Sequence, residues 1–338
     1  MKKLSKYFVY GMIGGVNKED MEMTGSSRKR LIIDTDCGSD DAMAIAMALN
    51  DPAYEILFFT VVSGNVDAAQ AAWNTLLTIE RAGTYEPPVY VGAEKMLLKD
   101  LAFAYETHGM DGMGDLGLKP ERLRPAEGNG VLCMLDALRN SEKGEIDLVT
   151  LGPLTNLALA IRLDPEAVKK AGRVTVMGGA GFGGGNVTAA AEFNIWQDAE
   201  AAKIVLEAGL DQLMLVGWDA CLGESMLTPE DIHRIEKGSS LGKFAMEINR
   251  VLMGLNRERF GMDCLDMADP AAMAAALCPD CIKTCEKYWC EVDVSPGPGY
   301  GNVLIDRYGF SGKEPNAWIC SELRADRYKE YIFRTLGV

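Results

Sequence analysis

Four aspartates fall within eight consecutive positions of the sequence, directly after a short apolar run. The stretch reads LIIDTDCGSDDA over residues 31–42, and its carboxylates belong to Asp34, Asp36, Asp40 and Asp41. Carboxylates held this close together beside a buried strand stay ionised only where a cation compensates them. Their hard oxygen atoms suit calcium or magnesium, so the spacing predicts a metal site at the end of a strand.

Three other interpretations of the string explain fewer of its residues, and one of them, the EF-hand, fails. A solvated acidic turn that caps the next helix accounts for one or two aspartates, whereas here four follow an apolar strand. An EF-hand loop counted from Asp34 requires glycine at position six and glutamate at position twelve, where this chain has Ser39 and Ile45. A haloacid dehalogenase-type phosphatase also begins with Asp-x-Asp, but usually has threonine or valine where Gly38 stands.

Composition and charge limit the class of partner. The chain has 338 residues, 48% of them hydrophobic, and a formal net charge of −15. Because that acidic field repels a phosphate backbone, no nucleic-acid partner is expected, and small molecules and cations are favoured. The apolar stretch over residues 7–16 is too short to span a membrane, so no membrane partner is expected either.

Nine cysteines, an odd number, are scattered along the chain, which favours a reducing compartment and therefore a cytoplasmic location over a disulfide framework. Cys278 and Cys281 have the spacing of a zinc knuckle or a redox pair, and Cys285 and Cys290 follow them. Simple packing at a helix end is the favoured interpretation of this group.

The first 28 residues precede the first predicted strand and form an N-terminal extension of unassigned role. Three lysines ahead of an apolar stretch resemble a signal peptide, but no small-residue cleavage site follows them. An arm that packs on the domain or on a neighbouring subunit is the favoured interpretation.

Strand-like apolar runs alternate with helical patterns over residues 29–338. The predicted strands are Arg30 to Asp34 and the segments EILFFTVVSG, PPVYVG, IDLVTLG, RVTVMGG, QLMLVGW, YWCEVDV, NVLIDRY and AWICSE. The predicted helices are DDAMAIAMALN, DAAQAAWNTLLTIERAG, LTNLALAIRL, AEAAKIVLEAG, TPEDIHRIEKG, a long helix from Leu241 to about Phe260, one from near Pro270, and ADRYKEYIFRTLG. This alternation predicts a single α/β domain with an open, mostly parallel sheet, helices on both faces, and a small β appendage near residues 283–320.

Polar residues follow several of the predicted strands. Asp34 and Asp36 come after the first strand and Asn65 after the second, while Leu151 and the segment from Met177 to Asn194 follow later ones. The carboxyl ends of parallel strands meet at one edge of a sheet, where such folds bind their ligands. We therefore expect these distant residues to lie close together.

The aspartate string resembles the Asp-x-Asp-x-x-x-Asp-Asp signature of the inosine-uridine preferring nucleoside hydrolases. The likeness covers about residues 30–336. Further matching segments are SGN ending at Asn65, Thr107-His108-Gly109, LGPLTN at 151–156, VMGG at 176–179, GN at 185 and 186, EFN at 192–194 and ADP at 268–270. The resemblance implies a Rossmann-like nucleoside hydrolase fold and hydrolysis of the N-glycosidic bond of a small-molecule ribonucleoside.

Carried over to this sequence, the resemblance implies a calcium site. Its protein ligands would be the carboxylates of Asp36, Asp41 and Asp269 and the backbone carbonyl of Leu151, with Asp34 orienting its neighbours. Asp36 would also take a proton from the attacking water as general base. The residues implied to hold the ribose hydroxyls, with Met177 close by, are Asp40, Asn65, Asn186, Glu192 and Asn194. A turn or cap role for Asn65 and a core role for Met177 remain open.

The leaving-group half of the site departs from the family pattern. In the inosine-uridine type, a histidine immediately before the last metal aspartate protonates the departing base, and here that position is Ala268. His233 lies in a solvent-facing helix pattern, so His108 is the candidate imidazole acid and base contact. The family's paired tyrosines are also missing from the end of the long helix, where this chain has Leu252, Leu255 and Asn256.

Trp196 and Trp218 are further candidates for the base pocket, because either ring could stack on a purine, although each is also typical of a core.

These observations lead to two hypotheses about function. One is a calcium-dependent ribonucleoside hydrolase of purine or pyrimidine salvage with an atypical leaving-group pocket. The other is a riboside-binding protein of the same fold with little or no hydrolysis. The resemblance also implies a homodimer or homotetramer.

Overall fold

The computed structural model describes residues 28–338 of the chain. The extension predicted over residues 1–28 lies outside these residues except for Arg28. In the described part, nine strands form one sheet. The strands are β1 Lys29–Thr35, β2 Tyr54–Val61, β3 Val89–Val91, β4 Ile146–Thr150, β5 Val174–Met177, β6 Leu213–Val216, β7 Ile282–Val292, β8 Val303–Asp306 and β9 Ala317–Leu323.

The sheet is mostly parallel, as the sequence predicts. Its strand order is β3-β2-β1-β4-β5-β6-β9-β7-β8. All pairs from β3 through β9 are parallel, and only β7 pairs in antiparallel fashion, with β9 on one side and β8 on the other. The chain therefore builds the sheet in one direction from β1 to β3 and then in the opposite direction from β4 onward.

The small β appendage predicted near residues 283–320 consists of strands that extend one end of the main sheet. β9 pairs in parallel with β6, and β7 pairs with β9. In β9, Ile319 packs into one core layer and Cys320 into the other, so this strand is covered on both faces. A strand covered on both faces belongs to the interior of a sheet, not to its rim.

Helices cover both faces of the sheet. They are α1 Ser39–Leu49, α2 Ala68–Ala82, α3 Tyr105–His108, α4 Gly130–Arg139, α5 Thr155–Leu163, α6 Pro165–Val168, α7 Phe193–Gln197, α8 Ala199–Leu206, α9 Pro229–Gly238, α10 Ser240–Ile248, α11 Arg250–Phe260, α12 Ala268–Leu277 and α13 Ala325–Thr335. Short 3-10 helices lie at Trp218–Cys221, Gly223–Ser225 and Pro279–Cys281. No helix in the described residues is both long enough and apolar enough to cross a membrane.

The central strand shows how the sequence divides the core. Successive side chains of a strand point to opposite faces of the sheet. Accordingly, Leu31 and Ile33 pack in the layer that holds α1, α2, α10, α12 and α13, whereas Ile32 packs in the layer of α4, α5 and α8. Both faces of β1 are buried, which explains why this strand is continuously apolar up to Asp34.

Several helical segments differ from the sequence-based prediction, which did not include the short helices α3, α6 and α7. The prediction of a single helix from Leu241 to about Phe260 is wrong, because the helix is interrupted at Asn249, which separates α10 from α11. The Asn249 amide donates to the backbone oxygens of Ser39 (3.0 Å) and Ala245 (2.8 Å), which ties this break to the start of α1. Helix α4 was not predicted, although its apolar spacing indicates a helix.

Because Ile33 is fully buried in β1, Ile33→Ala should lower the free energy of unfolding by about 2–5 kcal/mol. Urea denaturation followed by circular dichroism measures this loss. Leu304→Ala in β8, where the leucine is 52% exposed, is the control and should change the free energy of unfolding by less than about 0.5 kcal/mol. Equal losses in the two variants would contradict a core centred on β1.

Candidate active site

The predicted site residues gather where the strand order reverses, at the carboxyl ends of β1 and β4. These two strands are neighbours, yet the chain leaves them in opposite directions across the sheet. A crevice opens at such a point, and α/β folds bind ligands there. Asp36 directly follows β1 and Leu151 directly follows β4, and the Leu151 amide donates to the Asp34 carbonyl at 2.8 Å.

The first turn of α1 holds Asp41 by several donors. Its Oδ2 accepts hydrogen bonds from the Gly38 amide (2.9 Å) and the Asn65 side-chain amide (3.0 Å), and its Oδ1 accepts from the Thr35 hydroxyl (2.5 Å). The positive end of the helix dipole also favours a carboxylate here. Thr35, inside the DTD motif, was not predicted as a site residue, although its place between two aspartates was a signal.

Three carboxylates come together as a group that could hold a metal ion. Oxygen atoms of Asp40, Asp41 and Asp269 lie within 4.8 Å of one another, and all three residues are buried. Asp269 lies in the first turn of α12, so the amino ends of two helices face the same point. The resemblance assigned Asp40 to the ribose, whereas here its carboxylate borders both the metal-like group and the cavity above it.

Asp36 lies beside this group, outside the trio itself. Its Oδ2 accepts a hydrogen bond from the Asn65 amide at 2.6 Å, while its Oδ1 is buried without a hydrogen-bond partner among the described residues. Gly64 and Gly152 flank the carboxylate so closely that a Cβ on either would collide with it. An orphaned carboxylate oxygen in a tight oxygen-rich cradle fits coordination to a hard cation.

Burial makes these carboxylates difficult to ionise without a cation. It is the main cause that raises the pKa of Asp36 and of Asp269 well above the usual range and that raises the pKa of Asp41, and repulsion from neighbouring aspartates adds to each shift. A divalent ion would reverse this balance by compensating the charges. The electrostatics therefore match the all-oxygen chemistry of the group.

Asp34 lies beneath the cluster, in a position from which it could orient its neighbours. Its Oδ1 accepts hydrogen bonds from the Thr60 hydroxyl (2.5 Å) and the Asn156 amide (2.7 Å), and its Oδ2 is buried without a partner. Burial raises the pKa of Asp34 to about 7, against the lowering effect of these two donors. Thr60 was missed from the sequence, and Asn156 appeared only as part of the LGPLTN motif.

The segment after β5 supplies the opposite wall. Glu192 caps α7, and its carboxylate accepts from the backbone amides of Asn194 (2.7 Å) and Gly179 (2.9 Å). Burial raises the pKa of Glu192 to about 7. The Asn194 amide donates to the carbonyl oxygens of Leu151 (2.6 Å) and Met177 (3.3 Å), which links this wall to the end of β4.

A cavity of about 540 Å³ lies over the carboxylates. The predicted site residues that line it are Asp40, Asn65, His108, Leu151, Met177, Asn186, Glu192, Asn194 and Asp269. Asp34, Asp36 and Asp41 are at most 1% exposed and lie below its floor. The structure thus brings all the predicted residues together in two levels, with a carboxylate floor and a polar chamber above it.

His108 is buried at the cavity wall, at the end of α3. Its Nδ1 lies 2.9 Å from the Ser39 hydroxyl, 3.4 Å from the Ser39 backbone nitrogen and 3.7 Å from an Asp40 oxygen. A backbone N–H can only donate, so this contact favours the tautomer that carries its proton on Nε2. Among the described residues no hydrogen bond involves Nε2, which leaves that N–H available to a ligand.

The base-pocket candidates separate into two groups. Trp218, Leu252, Leu255 and Ala268 line the cavity. Trp196 does not, because Lys99 covers its ring at 2.7 Å and Gly301 lies against its backbone. His233 is exposed on α9, as its helix pattern indicates, and Asn256 is buried with its amide donating to Asp266 at 2.6 Å. Arg259 and Asp266, which also line the cavity, were missed from the sequence.

The nine cysteines are free thiols. Cys278 ends α12, Cys281 lies in the following 3-10 helix, and Cys285 and Cys290 lie along β7. Among residues 28–338, the group of three or more side chains that could hold a metal ion is the aspartate trio, and it contains no cysteine. Packing at a helix end and in a strand accounts for these residues.

Buried carboxylates at the switch point of a parallel sheet, beneath a polar cavity, are typical of a metal-dependent hydrolase. The chain belongs to the inosine-uridine preferring nucleoside hydrolase family, whose model matches residues 31–330. The family predicted from the aspartate string is therefore confirmed, and the chain is an N-glycosyl hydrolase of this class.

Individual relatives support the assignment over nearly the whole chain. The pyrimidine-specific ribonucleoside hydrolase RihB of Escherichia coli (strain SE11) is 34% identical over 290 residues, which cover 86% of this chain and 91% of that protein. The plant nucleoside hydrolase PpNRh1 has a TM-score of 0.85 at 32% identity, over 92% and 100% of the two chains. The purine-preferring ribonucleoside hydrolase from Gardnerella vaginalis has a TM-score of 0.83 at 27% identity, over 91% and 98%.

A divalent cation should raise the melting temperature more at pH 7.5 than at pH 5. Asp34 and Glu192 have folded-state pKa values of about 7, above their unfolded values of 3.8 and 4.5. The folded chain then binds more protons than the unfolded chain between about pH 4 and 7, so the metal-free protein loses stability as the pH rises through that window.

Thermal unfolding in EDTA and in calcium chloride at the two pH values measures this difference. Each 1 kcal/mol corresponds to a shift of about 2–4 °C for a domain of 150–250 residues and to a smaller shift for a larger domain. A calcium-induced shift that is equal at pH 5 and pH 7.5 would show that cation binding is not coupled to proton release from the buried carboxylates. Magnesium chloride at the same concentration serves as the comparison for metal identity.

Proposed function

We propose that residues 29–338 form a single catalytic domain that hydrolyses ribonucleosides to ribose and free base in a calcium-dependent reaction, with an atypical leaving-group pocket. The observation that carries this proposal is the buried carboxylate group of Asp40, Asp41 and Asp269 beside the orphaned oxygen of Asp36. A protein that binds neutral ligands without a metal would bear the cost of burying these carboxylates without any benefit.

The metal would be held by the carboxylates of Asp36, Asp41 and Asp269 and by the carbonyl oxygen of Leu151. Family membership and the all-oxygen donor set support calcium. When bound, the ion would supply positive charge that orients two ribose hydroxyls and a water molecule. The Leu151 carbonyl already accepts a hydrogen bond from Asn194, which fixes its direction and leaves its second lone pair free.

The ribose would lie between the floor and the polar wall of the cavity. The residues that would hold its hydroxyl groups, with Met177 close by, are Asp40, Asn65, Asn186, Glu192 and Asn194. Cleavage of the N-glycosidic bond builds positive charge on the ribose ring. Carboxylates fixed beside that ring favour the charge without having to reorganise, which lowers the barrier.

Asp36 would act as general base towards the attacking water. Its Oδ2 is held by the Asn65 amide, so its other oxygen is the one available to accept a proton. Asp34 would support this arrangement through its position below the floor. His108 would contact the base through Nε2–H, and it is the imidazole in the cavity able to donate a proton.

A riboside-binding protein without efficient hydrolysis is the second candidate. Ala268 favours it, because its methyl group stands where the inosine-uridine type has its acid. The base preferred is left open, since one relative is named as pyrimidine-specific and another as purine-preferring. We also propose a cytoplasmic enzyme of nucleoside salvage that forms a homodimer or homotetramer.

Wild-type protein should release reducing sugar from at least one nucleoside in a panel of inosine, guanosine, adenosine, uridine and cytidine. EDTA should abolish the release and calcium should restore it, because the floor carboxylates repel one another when the cation is removed. A colorimetric reducing-sugar assay measures this. Measurable riboside binding by calorimetry without any sugar release would refute the proposed hydrolase activity and support a riboside-binding function.

Asp36→Ala should lower kcat by about 10²- to 10⁴-fold, the usual contribution of a general base, while thermal unfolding stays cooperative. Steady-state kinetics on the best nucleoside of the panel measure the loss. The control is Asp136→Ala, which removes an aspartate whose side chain is 70% exposed on α4 and should leave kcat unchanged. Near-normal turnover in Asp36→Ala would refute the base assignment.

A further inference from the structure

Two of the nine cysteines lie directly opposite each other on neighbouring strands. Cys285 of β7 pairs with Cys320 of β9 in the antiparallel register of these strands. Residues that oppose each other in an antiparallel pair have Cα atoms about 4.5 or 5.5 Å apart, depending on whether the pair is hydrogen-bonded. A disulfide bond spans Cα separations of about 4.4–6.8 Å, so the backbone already holds these two residues within its range.

A β-bulge sets this register. Thr284 pairs with Glu322, and the next residue of β7, Cys285, pairs with Cys320, so that Ser321 is an extra residue in β9. Without the bulge, Cys285 would oppose Ser321, and Cys320 would oppose the following residue of β7. The irregularity therefore brings the two thiols opposite each other, which a regular ladder would not do.

Both thiols point into the same core layer. Cys320 is fully buried in the layer that holds α1 and α12, and the half-buried Cys285 packs against that layer. In the next pair of the register, Glu286 opposes Ile319, and Ile319 packs in the other layer. Because successive side chains of a strand alternate between faces, this difference places the two sulfur atoms on one side of the sheet.

The two thiols also differ in acidity. A hydrogen bond with Cys320 is the main cause that lowers the pKa of the Cys285 thiol, and the charge of Arg173 adds to this lowering against the effect of burial. Hydrogen bonding to Cys285, together with burial, raises the pKa of the Cys320 thiol. A more acidic, accessible thiol beside a less acidic, buried one is the arrangement of an attacking and a resolving cysteine.

The neighbouring cysteines are arranged differently. Cys290, further along β7, opposes Ile305 of β8. Cys278 and Cys281 form a hydrogen bond between the end of α12 and the following 3-10 helix, but Cys281 is fully buried, and burial raises the pKa of its thiol. Since the thiolate is the reactive form, Cys285 is the better nucleophile of these strands and helix ends.

We propose that Cys285 and Cys320 form a reversible redox site, which a peroxide closes to a disulfide that stabilises the C-terminal strands of the sheet. The bond joins β7 to β9 and closes a loop over residues 286–319, which includes β8. In the reducing compartment predicted from the sequence, such disulfides are transient and redox-sensing, so the dithiol is the resting state. Neither thiol lines the cavity, which makes this site independent of the hydrolase function proposed above.

The oxidation consumes one peroxide molecule. The Cys285 thiolate attacks one peroxide oxygen, the O–O bond breaks, and the hydroxide leaves as water with the proton that Cys285 gave up, so that Cys285 becomes a sulfenic acid. The sulfur of Cys320 then bonds to the sulfur of Cys285, the S–O bond breaks, and the second hydroxide leaves as water with the Cys320 proton. The two thiols lose two electrons and two protons, and the peroxide is reduced to two water molecules.

Peptide mapping of the full-length chain tests the site after treatment with one equivalent of hydrogen peroxide and blocking of free thiols with N-ethylmaleimide. Trypsin should release residues 284–287 joined to residues 314–324, each of which contains one cysteine. The joined peptide should weigh two hydrogen atoms less than the sum of the reduced peptides, and dithiothreitol should separate it. The oxidised protein should melt about 3–8 °C above the reduced protein, because the bond restricts the unfolded chain.

Cys290→Ser is the matched control, because Cys290 lies on the same strand and has an isoleucine opposite it. It should keep the joined peptide, whereas Cys285→Ser and Cys320→Ser should lose it. In Cys320→Ser, Cys285 should instead accumulate as a sulfenic acid that dimedone traps. Cys320→Ala gives the same readout if the buried hydroxyl of the serine variant prevents folding.

Three results would contradict the proposal. Oxidation of the half-buried Cys133 without any joined peptide would show that the opposed thiols do not react with each other. A disulfide formed only between Cys278 and Cys281 would assign the redox chemistry to the helix end instead. A protein that carries the joined peptide but melts no higher than the reduced protein would refute the stabilising effect.

Discussion

The structure depends on how it accommodates the buried carboxylates of Asp36, Asp41 and Asp269, which lie at and below the floor of one cavity. Burying a single charge costs several kcal/mol even after relaxation, and a whole domain is stable by only about 5–15 kcal/mol. Asp36, Asp41 and Asp269 therefore cannot all remain charged and uncompensated in the folded chain. Either they bind protons or they share a cation, and the choice between these two states couples the fold to its chemistry.

The strand order of the sheet and the placement of its helices reduce the cost of burying these charges. Reversal of the strand order at β1 and β4 opens a crevice without a gap in the sheet, and the amino ends of α1 and α12 point their dipoles at it. Asp34 accepts hydrogen bonds from Thr60 of β2 and Asn156 of α5, so a neighbouring strand and a helix both support the cluster. The metal half of the site is thus built by the same contacts that hold the sheet together.

Local sequence motifs explain why the carboxylate half of the site could be predicted from the sequence, whereas the features that depend on tertiary packing could not. Asp34 to Asp41 are contiguous, and the motifs that end at Asn65 and Asn194 follow strands whose apolar runs are evident in the sequence. By contrast, the break at Asn249 depends on a hydrogen bond to Ser39, 210 residues away, and no local pattern encodes it. The exclusion of Trp196 from the cavity likewise depends on its cover by Lys99, which only tertiary packing determines.

The cavity wall that carries Ala268 is constructed differently from the carboxylate floor. Trp218, Arg259 and Asp266 come from three segments that touch one another but contribute nothing to the carboxylate floor. Relatives named for pyrimidines and for purines belong to the same family or share the fold. Because the wall that carries Ala268 and the carboxylate trio have no residue in common, the composition of that wall can vary while the carboxylates at the floor are kept.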